Sequence, residues 1–515
     1  MSLVPSRAEP EAPSWVPLIA ACAGTFLLLI YTSIVTVALP AIGAELGAGY
    51  GQLQWIVDVF PVALAGLLLG FGSLSDLLGR KRVYLAGLVL FSFATLACGV
   101  AGTPGALIAA RVAQGVAGAA MFATILPLVG LTYEGRDRAW AFAVWGTVAG
   151  VASAVGTFSG GVIAQLLGWR WIFFASLPLC VVAILMAAAS LKEGPRAHGR
   201  SVDYPGIATF SIAATGLAYS VITGGDRGWS SAGAVIGYLV TMAAIAAFVV
   251  AERRSSTPMV PTGLFATRRF LGVLLVAFSY YFAGFGALPV ISLWLQDATG
   301  LSSAATSAVL ALQVVVFVVV SALISGPLHA TSPGRVLGGA TVLLGVGCLT
   351  AVAVLFSPTW IALLPALLLT GIGAGIVSPV FPAVAIASVP AEYGGTAGAA
   401  ANSSRQLGLA LGIAVSGAVY ATRGEGSDGA TRGVLLVLLL CGAIAVASGL
   451  VGGWLLRDNI NHPPPGNTNR STQHSTSRSA RDTSRSPQDN TSNSPQYDIN
   501  RSIRDGTDRS VKGGH

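Results

Sequence analysis

Gly72-Ser73-Leu74-Ser75-Asp76-Leu77-Leu78-Gly79-Arg80-Lys81-Arg82 is a glycine-bounded, charge-dense turn set between two apolar runs, 53–74 and 83–102. Each run is long enough to cross a bilayer at 1.5 Å per residue. A soluble chain has no reason to break apolar runs of about 20 residues with so tight a turn. In a membrane chain the turn sets three cations at one face and leaves an acid, Asp76, at the end of the preceding helix.

Outward from this turn the same alternation fills the chain. Apolar runs lie near 15–40, 53–74, 83–102, 105–131, 138–164 and 171–191, then at 204–223 and 233–251. Six more lie near 271–295, 304–328, 335–356, 359–386, 396–421 and 433–456. About fourteen spanning helices are therefore expected, in an all-α membrane fold. A composition of 54% hydrophobic and 10% charged residues, with mean hydropathy +0.73, leaves little room for a water-soluble fold. The runs are rich in Gly and Ala, which lets helix backbones approach closely in lipid. The first run is too long for the apolar part of a signal peptide and follows Glu9 and Glu11, so it reads as a retained span.

Cations set the orientation. With the N-terminus inside, the inner loops hold Arg80, Lys81, Arg82, Arg136, Arg138, Lys192, Arg196, Arg200, Arg253, Arg254, Arg268, Arg269 and Arg335. The outer loops then hold Arg170, Arg227, Arg423 and Arg432. This asymmetry and the even span count place both termini in the cytoplasm. The net charge of +8 then reports topology rather than nucleic-acid binding. Cys22, Cys98, Cys180, Cys348 and Cys441 all fall inside apolar runs and read as small buried hydrophobes.

The spans divide into an N-terminal segment 1–14, a six-helix bundle 15–191, linkers and an inserted helix pair 192–270, a second bundle 271–456, and a tail 457–515. A faint echo of the opening turn, Gly326-Pro327-Leu328 followed by Gly334-Arg335, suits a duplicated transporter. The tail is low in complexity and apolar content and is expected to be disordered. Its sequons at Asn469, Asn490 and Asn500 would then lie inside the cell.

The chain has no Gly-Lys followed by Ser or Thr, so an ATP-binding loop of that kind is missing. His198, His329, His462, His474 and His515 all lie outside the spans, and neither a hydrolase serine elbow nor a His-Glu-x-x-His helix occurs. Neither an enzyme site, a cofactor nor a metal is expected. What remains are polar residues inside the membrane, which are costly there and therefore functional candidates. Asp58 is the one carboxylate well inside a span, and its alternative reading is an interfacial acid beside Trp55. Arg111 lies in the fourth span and Arg405 in the thirteenth, the latter flanked by Asn402 and Gln406. Either arginine faces a wet cavity or a partner, or it bridges helices through freed carbonyls. Tyr31, Gln114, Trp145, Tyr280, Tyr281, Asn402, Arg405 and Gln406 are candidates to line a substrate cavity. Gly146, Gly150, Gly156, Gly160 and Gly161 mark one close-packing helix, the fifth span.

These residues carry a resemblance. Over about 15–456 the chain resembles the major facilitator superfamily, in its fourteen-helix drug:proton antiporter branch. The turn matches that superfamily's signature at Gly72, Leu74, Asp76, Gly79, Arg80, Lys81 and Arg82. The fourth span is similar to the family's arginine motif through Arg111, Gln114 and Gly115, and the fifth to the antiporter motif through its five glycines. Leu53-Gln54-Trp55-Ile56-Val57-Asp58, Trp169-Arg170-Trp171-Ile172-Phe173, and Val389-Pro390-Ala391-Glu392 leading to Arg405-Gln406-Leu407-Gly408 also fit the branch. The resemblance implies two six-helix bundles plus an inserted pair, alternating access driven by proton entry, and a latch made by Asp76 and Arg80. It also implies that Arg111 bears on proton transfer. Two departures matter: Tyr31 and Thr36 stand where the branch commonly has an acid and Asn, and Thr157 where it usually has Pro. Loss of the acid moves the expected proton carrier to Asp58.

The function expected is export of hydrophobic, antibiotic-like compounds in exchange for protons, by a monomer in a bacterial inner membrane. Its partners would be the bilayer, a small hydrophobic substrate and protons, with no nucleic acid. A dedicated exporter of one endogenous metabolite is the alternative, and a transport-inactive sensor or scaffold a more distant one.

Overall fold

The computed structural model describes residues 14–194, 202–255, 258–324, 332–390, 393–422 and 426–457, all within one compact unit, 1–458. The tail from 458, most of the Gly326–Arg335 echo, and Ala391 and Glu392 lie outside the described residues. Among the described residues the elements are helical. The first half comprises α1 (Val16–Ile30), α2 (Ile34–Leu46), α3 (Tyr50–Leu78), α4 (Arg80–Gly99), α5 (Pro104–Thr132), α6 (Gly135–Leu166), α7 (Trp171–Phe174) and α8 (Leu177–Ser190). An inserted pair follows, α9 (Tyr204–Arg227) and α10 (Ala232–Arg254). The second half comprises α11 (Arg268–Phe285), α12 (Leu288–Asp297), α13 (Ser303–Ile324), α14 (Pro333–Leu349), α15 (Leu364–Ala387), α16 (Gly394–Ala421) and α17 (Gly426–Leu455).

Among the described residues twelve helices are long and apolar enough to span a membrane, and α1 with α2 make a thirteenth as a bent pair. The chain is thus a multi-pass membrane protein. The remaining span of the expected fourteen, α16, is a helix of 28 residues but carries Asn402, Arg405 and Gln406 among its glycines. It is packed in the centre of the fold, against α3, α9, α11, α15 and α17, where lipid-level apolarity is not required.

The first run differs from the single helix ending near Pro40. It breaks at Tyr31–Ser33 with a bend of 43°, and α2 continues past Pro40 to Leu46. At the break Thr32 Oγ1 donates to Leu29 O of α1 (2.6 Å), competing for a helix carbonyl, while Ser33 Oγ reaches across to Ser153 O of α6 (3.2 Å). The Gly72–Arg82 turn is tighter than a loop. α3 runs to Leu78, Gly79 alone turns the chain at φ 106°, and Arg80 opens α4. Only glycine suits that backbone, and a Cβ there would also meet the Glu193 carboxylate at 2.8 Å.

α1–α8 pack among themselves and α11–α17 among themselves, giving two bundles. They meet chiefly at two seams, α3 against α16 and α6 against α13, with a smaller contact of α2 against α12 and α13. At the first, Tyr50 donates to Gly417 O (3.0 Å) and Gln54 to Ala414 O (3.0 Å). At the second, Gly161 N donates to Ser307 Oγ (3.0 Å) and Ala304 N to Gln165 Oε1 (3.1 Å). Because successive spans alternate in direction, these bonds lie toward the end opposite the Gly72–Arg82 turn. The inserted α9 packs on both α3 and α16, along the first seam. Ser211 of α9 donates to Gly66 O of α3 (2.9 Å), and Ala218 packs with Val62 of α3 and Ala410 of α16.

Candidate functional site

α3 begins at Tyr50, which sets Asp58 eight residues, about 12 Å, into the helix. Its side chain is fully buried, not interfacial, and among the described residues neither carboxylate oxygen has a hydrogen-bond partner. Gln54 and Val62 lie one turn to either side on the same face. That face meets Ala414 and Ala410 of α16 and Ala218 of α9, small apolar residues that offer a carboxyl group no donor.

Arg111 does not pair with Asp58. Its Nε donates to Ile56 O (3.1 Å), Nη1 to Gln114 Oε1 (2.6 Å) and Nη2 to Tyr31 O at the α1–α2 break (3.4 Å). The Phe60 ring covers it at 4.5 Å, and Gln114 passes its own Nε2 to Thr95 Oγ1 (2.8 Å). The structure therefore uses Arg111 to hold a broken helix against α3 and α5. Tyr31 and Gln114, expected at a cavity, lie inside the first bundle instead. Tyr31 stacks on Phe173 and its hydroxyl bonds Ser176 (2.5 Å) and Ile172 O (3.1 Å). Both residues are excluded from solvent by the helices they join.

A cavity does lie between the bundles. Thr32, Ser33 and Thr36 at the α1–α2 junction, with Ser153 and Thr157 of α6, form one wall. Tyr281 and Phe285 of α11, Phe317 of α13, and Leu409 and Ile413 of α16 form the other. One wall carries hydroxyls and the other aromatic and aliphatic groups. Thr36 and Thr157, noticed in the sequence only as departures from a pattern, face this space.

Arg405 lies one turn before Leu409 on the same face of α16. Its guanidinium sits 4.7 Å from the Tyr281 ring centroid, 5.7 Å from Phe122 of α5 and 5.8 Å from Phe381 of α15. Phe122 in turn stacks with Trp145, whose Nε1 donates to Thr25 Oγ1 (2.8 Å). Tyr281, Arg405 and Trp145 thus come together, directly or through Phe122. Tyr280 is fully buried against Tyr281 and Phe381, behind the wall. Asn402 is half-buried beside Arg405, and Gln406 is buried with Nε2 lacking an acceptor among the described residues.

Four of the five marked glycines bring α6 close to its neighbours. A Cβ on Gly156 would meet Ile30 O at 2.8 Å and one on Gly160 would meet Ile34 O at 2.5 Å. Gly150 faces Val318, and Gly161 faces Ser303 and Ser307 of α13. Gly146 has open space beside it. At the turn, Arg80 Nε and Nη2 both donate to Asp76 Oδ1 (3.0 and 2.9 Å). Lys81 caps the end of α8: its backbone N–H donates to Glu193 Oε1 (3.1 Å) and Nζ to Ala188 O (2.8 Å). Gly72 has open space around it, and Arg82 is exposed.

Sequence reasoning missed Glu193 and Glu45. Glu45, at the end of α2, accepts from Trp169 Nε1 (2.6 Å) and from Arg170, whose Nη2 also donates to Ala101 O (3.0 Å). The Trp169-Arg170 pair was visible, but its acid lies 125 residues away in the chain.

Comparison with known proteins places this arrangement. The model of the Major Facilitator Superfamily matches residues 21–270 and 273–492. Multidrug resistance protein Stp of Mycobacterium tuberculosis is 31% identical over 464 residues, covering 87% of this chain and 85% of that protein. Methylenomycin A resistance protein of Streptomyces coelicolor is 30% identical over 88% of this chain and 94% of its own length. Cephamycin export protein CmcT of Amycolatopsis lactamdurans is 32% identical over 82% and 88%. The chain therefore belongs to the major facilitator superfamily of transporters.

Proposed function

We propose that the protein is a proton-coupled antiporter that exports hydrophobic, antibiotic-like compounds by alternating access. The observation that carries the coupling is Asp58, buried at the junction of α3, α9 and α16 with neither oxygen partnered. A carboxylate kept from water and left unpaired is costly, and taking up a proton removes that cost. The closed seam is thereby tied to the protonated residue, and opening the seam to water releases the proton. The bundles share a cavity and hydrogen-bond to each other toward one end, which suits a rocking motion about a central binding space. One chain encloses that cavity, so a monomer suffices. The distribution of Lys and Arg supports a cytoplasmic Gly72–Arg82 turn and cytoplasmic termini, which suits an inner-membrane exporter.

The test is efflux driven by a pH gradient in everted vesicles. Asp58→Asn is expected to reach the membrane, to bind substrate and to lose gradient-driven transport. Wild-type rates in that variant would overturn the assignment. The relatives named for a single antibiotic support a narrower second reading, a dedicated exporter of one product. A strain lacking the protein separates the two: sensitivity to many drugs favours the broad reading, and to one compound the narrow one.

A further inference from the structure

The central cavity is electrostatically one-sided. Among the described residues no acid lines it, and its walls supply hydroxyls, aromatic rings and aliphatic groups. The charge that borders it is Arg405, continued from Leu409 and Ile413 along one face of α16. Among the described residues no carboxylate forms an ion pair with that guanidinium. Three rings from three helices surround it: Tyr281, itself a wall residue, and Phe122 and Phe381. An aromatic face holds a guanidinium in place without neutralising it, because the ring quadrupole is a weaker partner than a carboxylate. The side chain is partly buried, its Nε is enclosed without a partner among the described residues, and the Tyr280 hydroxyl beside it is neutral, so the charge is left uncompensated. The other buried arginine, Arg111, has its donors committed to Ile56, Gln114 and Tyr31. The acid at Asp58 lies on the face of α3 turned to α9 and α16 and is not a wall residue.

We propose that this cavity selects compounds that carry a negative charge on an aromatic or conjugated body, and that Arg405 recognises the charge. The rings that hold the guanidinium also offer a stacking surface for such a body, next to the donors that would take a carboxylate or phenolate in bidentate fashion. A cationic compound finds no counter-charge here and meets the repulsion of Arg405, which supplies discrimination as well as attraction. This proposal rests on the export reading for its physiological meaning, but not for its measurement.

The experiment uses three probes with one body: pyrenebutyrate, pyrenebutanol and protonated pyrenebutylamine. Each is titrated against the purified full-length protein in nanodiscs at neutral pH, followed by pyrene fluorescence. The wild type is expected to bind the anion at least about 10-fold more tightly than the cation. Arg405→Gln should weaken the anion roughly 10- to 100-fold and leave the alcohol within about 3-fold. Arg405→Lys should restore part of the anion's affinity, since the charge returns without the planar fork. Wild-type preference for the cation, or an equal loss for all three probes in Arg405→Gln, overturns the proposal. The wild-type comparison needs no variant and stands even if Arg405→Gln fails to fold. Transport in everted vesicles separates the two readings. Arg405-dependent binding of the anion without its movement sinks export and keeps the charge selection. Export of the cation that ignores Arg405 keeps export and sinks the selection.

Discussion

Arg111 and Arg405 are the same residue type, one in each bundle, and the fold treats them differently. Arg111 is embedded among helices of its own bundle, with carbonyls from α1 and α3 and an amide from α5 filling its donors. Arg405 lies between rings of both bundles, with the Tyr280 hydroxyl beside it and no carboxylate paired to it among the described residues. The lesson is that an intramembrane cation is informative through what has already been given to it. A saturated arginine shapes the backbone, whereas an unsaturated one is available to a guest.

That contrast can be broken by stability measurements. Arg111→Ala should have the largest effect, because it strands Tyr31 O, Ile56 O and Gln114 inside the bundle. A loss on the order of 3 kcal/mol or more is expected, read as a lowered thermal midpoint in detergent. Gln114→Leu should cost about 1–3 kcal/mol, since Arg111 loses an acceptor and Thr95 a donor. Arg405→Gln should fall within about 1 kcal/mol of wild type, since it removes ring contacts and a single hydroxyl contact, to Tyr280, rather than a set of buried carbonyls. If Arg405→Gln destabilises as much as Arg111→Ala, the distinction between the two collapses. The smallest effect belongs to Arg80→Ala, whose pair with Asp76 is about a third exposed and contributes less than about 0.5 kcal/mol. Its transport rate should nevertheless fall further than that of Lys81→Ala. Equal small losses would make the turn an anchor only.

Much of the architecture is legible in the residues, because apolar length and loop charge are local properties. The tight turn at Gly79, the Asp76–Arg80 pair one helical turn apart and the buried cysteines follow from short stretches. Sidedness is harder. A lipid-facing surface is as apolar as a core, so the helical period does not say which face of α1 or α5 looks inward. Tyr31 and Gln114 were therefore placed at a cavity they do not reach, while Thr36 and Thr157 were seen only as substitutions. The break after Ile30 also needed tertiary knowledge, since the carbonyl it frees at Tyr31 is met by an arginine 80 residues later. Glu193 and Glu45 meet their partners across similar distances in the chain.

The position of α9 has a mechanical consequence. A helix fastened to both leaves of a two-leaf structure acts as the knuckle of a door: it permits swing about its own line and resists parting there. With Ser211 and Ala218 tying α9 to α3, and Ala218 tying it to α16, one edge of the molecule is splinted. The opposite edge, α6 on α13, is touched on both helices by α2, which packs mainly on α6 and only lightly on α13 and α12. A swing of the two halves would then be taken up at the α6 edge, where α2 moves against α12 and α13, while the α9 edge stays fixed.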